Sequence, residues 1–151
     1  NIIATVDGDD SLCNNDAVSK LIQCYVAGKD VVWTAHKWDI NGMNISRTMP
    51  ENVNPYQWPW CSSHLRTFRS SLLDKIKDSN FKDWRGQWFK RGYDQALMLP
   101  ILSLTKNRYF LNDVCYKYNI ESVSLPAAQR DKCERDQIST VNFVRARGFV
   151  S

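Results

Sequence analysis

Apolar and polar positions along this chain switch between a two-residue and a helical period. Ile2-Ile3-Ala4-Thr5-Val6 is a short apolar run of strand type that leads straight into Asp7-Gly8-Asp9-Asp10. Asn14-Asn15-Asp16 offers a helix cap, and Val18, Leu21, Ile22, Tyr25 and Val26 recur at helical spacing until Gly28. The pattern predicts a surface helix packed on a sheet. Val31-Val32-Trp33-Thr34 predicts a second strand, and Asp39-Ile40-Asn41-Gly42-Met43 carries the Asn-Gly pair favoured in tight hairpins. From Met49 to Cys61, three Pro and two Trp follow no period and predict a loop.

Farther on, His64 to Arg69 alternates as a strand, and Ser70 or Ser71 can cap a short helix from Leu72 to Lys77. Phe81 to Phe89 mixes aromatic and polar residues as a loop would. Tyr93 to Leu102 reads as an apolar helix with Asp94 in its first turn, kinked or interrupted by Pro100. Tyr109–Leu111 and Val114–Tyr118 are the last strands. Gln129–Asp136 reads as charged and mobile, and Gln137–Arg147 as a closing helix. Strands interleaved with helices make an α/β pattern in a single domain over residues 1–151.

Composition narrows the class. A chain of 151 residues, 43% hydrophobic with six Trp, has enough apolar surface for a folded core. No stretch approaches the roughly 20 apolar residues of a membrane span. The chain opens inside a strand without Met, which reads as the later part of a longer domain. Five scattered cysteines with no C-x-x-C pair indicate neither a disulfide framework nor a zinc site, and point to a reducing, cytoplasmic setting. Residues 1–60 carry four basic and seven acidic side chains, and residues 61–151 sixteen and nine. An acidic half beside a basic half suits an anionic diphosphate ligand. Nucleic-acid binding has no motif to support it, while membrane-surface association and a homo-oligomer stay open.

The carboxylates after the first strand carry the chemistry. Adjacent carboxylates repel, and a divalent cation or a reaction that uses them compensates. A calcium loop would need Gly at Leu12 and Glu at Val18. A phosphatase of the haloacid dehalogenase type would use Asp7 and Asp9, with Ser11 near its usual Thr, and Thr34 would end its second strand. That reading lacks a later apolar strand ending in paired acids, because Asp113 stands alone. The third candidate is the Asp-x-Asp of nucleotide-sugar transferases.

Four ordered segments resemble family 2 glycosyltransferases: Val6-Asp7-Gly8-Asp9-Asp10, His64 to Leu72, Tyr93-Asp94-Gln95-Ala96-Leu97-Met98-Leu99-Pro100, and Val114 to Asn119. The resemblance covers residues 1–147. It implies a GT-A type glycosyltransferase fold, a Rossmann-like mixed sheet flanked by helices and incomplete at its N-terminus. It also implies inverting transfer of a sugar from a nucleotide-sugar donor, by family frequency a UDP-sugar, to an acceptor hydroxyl on a glycan or other molecule. A non-catalytic sugar-binding relative is the milder alternative. Mn²⁺ or Mg²⁺ would be held by Asp7 and Asp9, with Asp9 the principal ligand and Asp10 orienting or replacing its neighbours. His64 is a further candidate ligand or acceptor contact. Arg66 and Arg69 point to opposite sides of a strand, so at most one of them, Arg66 in this reading, faces the diphosphate. Asp94 is the candidate base, although the family's Glu-Asp is Tyr93-Asp94 here. Arg130, Lys132 and Arg135 read first as a solvated charged loop, with the flexible loop that this fold often closes over the donor diphosphate as the alternative. For Trp58, Trp60, Trp84 and Trp88, in the two irregular segments, core packing is the default reading, and stacking of two of the four on an acceptor sugar is the functional alternative. His36 carries no motif and reads as structural.

Overall fold

The computed structural model describes residues 1–120 and 125–151. The elements in order are β1 (Ile2–Thr5), β2 (Ser11–Leu12), α1 (Ala17–Val26), β3 (Val31–Trp38), β4 (Arg66–Arg69), α2 (Tyr93–Ser103), β5 (Arg108–Tyr118) and α3 (Ala127–Arg147). Two 3₁₀ turns, Ser70–Lys75 and Asp78–Phe81, lie between β4 and α2. The result is a mixed α/β fold around one five-stranded sheet of order β1-β4-β3-β5-β2. β4 is antiparallel to both β1 and β3, β5 is parallel to β3, and β2 is antiparallel to β5. Among the described residues, no helix is long and apolar enough to cross a membrane.

β3 lies at the centre because Val31 to His36 can be buried on both faces. Its alternation divides the core. Val31 and Trp33 join Phe68, Met98, Ile101 and Leu102 on the α2 side, while Val32 joins Leu21, Tyr25, Leu65 and Tyr116 on the α1 side. In α1 only Ala17, Leu21 and Tyr25 are buried, and Val18, Ile22 and Val26 of the expected apolar face lie exposed. The expected side-chain cap is absent too: Asn14 Oδ1 accepts the Asp16 N–H at 2.9 Å, an Asx turn that precedes the helix.

Several sequence expectations change here. The Asn41-Gly42 segment makes a tight turn, with Trp38 N–H donating to the Met43 carbonyl at 2.9 Å, but no returning strand pairs beyond it. The two late strands are one, β5, and the break read at Asn112-Asp113 is a bulge, because Thr34 pairs with Leu111 and Ala35 with Val114. α2 runs through Pro100 without ending. The short helix after β4 is a 3₁₀ turn. The largest correction concerns Gln129–Asp136, which is helical within α3. Arg130–Glu134, Asp131–Arg135 and Lys132–Asp136 are opposite charges four residues apart, a spacing that supports a helix. Arg130, Lys132 and Arg135 therefore sit on a helix and not on a flexible loop. All five cysteines are free.

Candidate functional site

β1, β3 and β5 point the same way, so their carboxyl ends and the amino end of β4 share one edge of the sheet. Open α/β sheets hold ligands at such an edge. Asp7 follows β1, His64 and Arg66 stand where β4 begins, Tyr116 and Tyr118 close β5, and Asp94 lies in the first turn of α2.

A chain of polar contacts joins them. Asp94 Oδ2 lies 3.1 Å from Arg66 Nη1, an ionic contact and not a well-directed hydrogen bond. Arg66 Nε donates to Thr5 Oγ1 at 3.3 Å, and its Nη2 donates to His64 Nδ1 at 3.2 Å. His64 Nε2 is 3.9 Å from Asp7 Oδ2. Arg66 and His64 are 2% and 3% exposed. α2 begins at Gly92 with no side-chain cap, so Asp94 meets Arg66 instead of capping its own helix. Gly92 has φ +65°, and a Cβ there would come within 3.1 Å of Gln137 O and Thr140 Cβ on α3. Only glycine fits this joint.

Asp10 has a different task. Tyr116 Oη donates to Asp10 Oδ2 at 2.6 Å and accepts the Asp7 N–H at 3.0 Å, while Asn119 N–H donates to Asp10 Oδ1 at 2.7 Å. Asp10 thus latches the carboxylate loop to the end of β5. Burial, then the bond to Asp10, pushes the Tyr116 phenol well above its usual range. Burial foremost, then Asp94, Asp10 and Asp7, pushes Tyr118 up to about 12. Both phenols keep their protons at neutral pH.

Asp7, Asp10 and His64 each bring one donor atom within 4.8 Å of the others, whereas Asp9 is exposed and outside that group. The hydrogen bonding argues against His64 as a ligand. A guanidinium only donates, so Nδ1 must accept from Arg66, and the neutral ring carries its proton on Nε2. No lone pair then faces Asp7. Burial above all, helped by the Arg66 charge and His36, lowers the His64 pKa to about 3. The ring stacks on Tyr116 and Tyr118 with centroids 4.6 and 4.8 Å away. His64 is a neutral bridge between Arg66 and Asp7. The carboxylates suit a hard divalent cation better: burial raises the Asp7 pKa, Arg66 opposes this, and Asp94, Asp10 and Asp9 raise it further. A cation at Asp7 would relieve that repulsion.

His36, buried in β3, accepts the Ile45 N–H on Nε2 at 3.4 Å and offers Nδ1–H to the His64 carbonyl at 3.2 Å. It holds the site's backbone and takes no direct part in the cluster. Burial lowers its pKa as well. The unfolded chain therefore binds protons at both histidines before the folded chain does. Stability is complete above about pH 6.5 and falls as pH drops toward the folded values, about 3 for His64. Melting temperature measured from pH 8 to 4 should decline below about 6.5, with a shallower decline in His36→Gln. A flat profile across that window would contradict two neutral buried imidazoles.

Among the sequence candidates, the fold gathers Asp7, Asp10, His64, Arg66 and Asp94, and leaves Asp9 on the solvent side of the same turn. Arg69 is turned away, pairing with Asp30 at 3.2 Å. Trp58 and Trp60 pack against the core, while Trp84 and Trp88 are exposed. Sequence reasoning missed the Tyr116–Asp10 latch and the Gly92 joint. A glycine just before a helical acidic residue was the one available signal. No protein-family model matches the chain, and no curated protein matches it.

Proposed function

We propose that this chain is a metal-dependent inverting glycosyltransferase of the GT-A type, moving a sugar from a nucleotide-sugar, by preference a UDP-sugar, to an acceptor hydroxyl. The observation that supports it most is the pairing of two carboxylates, Asp7 and Asp94, on either side of the buried Arg66–His64 pair at the carboxyl edge of the sheet. One group can serve the departing diphosphate and the other the incoming hydroxyl. Asp94 accepts the acceptor proton as the acceptor oxygen bonds to the anomeric carbon, and the bond from that carbon to the diphosphate oxygen breaks with its electrons. Asp7 and Asp9 would hold Mn²⁺ or Mg²⁺, a cation that commonly takes one or two carboxylates and completes its shell with phosphate and water. When bound, the cation neutralises charge on the leaving diphosphate. Arg66 adds a fixed positive charge beside the same edge. Asp10 and His64 position Asp7 and Arg66.

The test is transfer or hydrolysis of radiolabelled UDP-sugars with and without Mn²⁺, run beside an aryl phosphate. Turnover of the sugar nucleotide should require the metal and vanish in Asp7→Ala and Asp9→Ala. At about a hundred times its dissociation constant, UDP with Mn²⁺ should stabilise the parent by about 2.7 kcal/mol, roughly 5–10 °C in Tm, and leave both variants unmoved. Metal-dependent aryl phosphate hydrolysis lost in Asp7→Ala would replace the transferase with a phosphatase. Full transfer by Asp9→Ala would remove Asp9 from the metal site.

A further inference from the structure

Away from the carboxylates, a cavity of about 510 Å³ opens between the Asp83–Arg91 loop and α3. Trp84, Trp88, Phe89 and Phe143 supply its aromatic lining, and Gln87 and Thr140 are among its polar groups. Both tryptophans are in the open, 70% and 57% exposed, which is costly for the largest apolar side chain unless something covers it. Each also carries a cation over its ring. Lys82 Nζ lies 4.5 Å from the Trp88 centroid, and the Arg85 guanidinium 4.9 Å from that of Trp84. Arg85 is itself fixed by Asp83 through bonds of 3.1 and 2.9 Å. Phe143 meets the Trp84 ring edge-on at 5.8 Å. The indoles are thus oriented in advance, with much of their surface left to solvent.

We propose that this cavity is an oligosaccharide-binding groove in which Trp84 and Trp88 stack on pyranose rings. Flat aromatic faces match the C–H faces of sugars, and side-chain amide, carboxylate and hydroxyl groups between them match sugar hydroxyls. The lining sets Arg85, Lys90 and Arg91 against Asp83 and Asp136, with Arg85 bonded to Asp83, and so small an excess of charge suits a neutral glycan better than a strongly anionic one. The groove also abuts the α2 start. Arg91 lines it, Thr140 lines it and presses on Gly92, and Asp94 comes two residues later. Identifying the bound glycan as the acceptor rests on the transferase reading; the groove itself does not.

The experiment presents the full chain to an array of neutral oligosaccharides of about four to eight units (glucans, mannans, galactans, xylans and chitin oligomers), beside a sulfated oligosaccharide. Binding to at least one neutral series is expected, with a change in tryptophan fluorescence. Trp84→Ala and Trp88→Ala, whose rings are exposed and whose melting temperatures should stay near the parent's, should each weaken it at least tenfold. Binding without any sugar-nucleotide turnover would uphold the groove and sink the transferase. Turnover that persists unchanged in both tryptophan variants would uphold the transferase and overturn the identification of the bound glycan as its acceptor. No neutral glycan bound, or only the sulfated probe bound in a salt-sensitive way, would overturn the groove.

Discussion

Replacing Asp94 with Asn lowers turnover by about 10²–10⁴-fold and leaves UDP–Mn²⁺ affinity within about twofold of the parent. That range is the usual contribution of a positioned general base. Asn keeps the size and planarity of the carboxylate but strips the buried Arg66 of its anionic partner, so the variant loses stability and is assayed well below its own melting temperature, while the group that takes the acceptor proton is gone. Asp94 touches the donor side only indirectly, through its ionic contact with Arg66 and its charge coupling to Asp7, so donor affinity should shift far less than turnover. Single-turnover measurement with saturating donor separates the two effects. Equal losses in affinity and turnover would make Asp94 a binding or structural residue, and an unchanged rate would strip it of any role.

Arg66→Met should damage both the fold and the site. The guanidinium is buried and serves Thr5, His64 and Asp94 together. Removing it leaves His64 Nδ1 without its donor and Asp7 facing Asp94 with no cation between them. Loss of one partner from a fully buried ionic pair costs about 3–5 kcal/mol, but the Asp94 carboxylate is 34% exposed, so the loss here should be about 2–3 kcal/mol, roughly 4–12 °C in Tm for a chain of this length. Arg66→Lys keeps the charge and loses the fork, so it should recover part of the stability and little of the geometry. Urea titration with a common slope would measure both. Arg66→Met within about 1 kcal/mol of the parent would mean that the contacts around Arg66 are incidental.

How far the sequence could be read follows from where the information sits. Short-range patterns spoke clearly: β1, α1, the core of β3, β4 and α2 follow directly from apolar spacing and appear within a few residues of their expected bounds. The carboxylates after β1 and the acidic residue opening α2 were visible as chemistry, and the fold brings Asp7 and Asp94 to one edge. The hidden part was long-range. That Tyr116 latches Asp10, 106 residues away, has no local signal. The tautomer of His64 depends on a neighbour's donor direction, so no pattern of residue types distinguishes a ligand from a bridge. The closing half of α3, Gln137–Arg147, was legible as a helix, and its first half, Gln129–Asp136, was misjudged for another reason: high charge reads as solvation until the signs are checked at four-residue spacing. β2, two residues long, is strand only because β5 lies beside it.

The contact of Gly92 with Thr140 and Gln137 sets an order of failure for the molecule. The placement of Asp94 is inherited from a joint between two helices, and one of them, α3, lends the interior a single buried side chain, Val144. Its closing turns are anchored by Val144 and by Arg145 and Arg147, which donate to the Tyr56, Trp58, Ser79, Asn80 and Lys82 carbonyls, so it is the exposed, charged first turns that loosen before the sheet does. Loosening that spreads as far as Gln137 and Thr140 would release the Gly92 joint, so the placement of Asp94 depends on the middle of α3 staying seated.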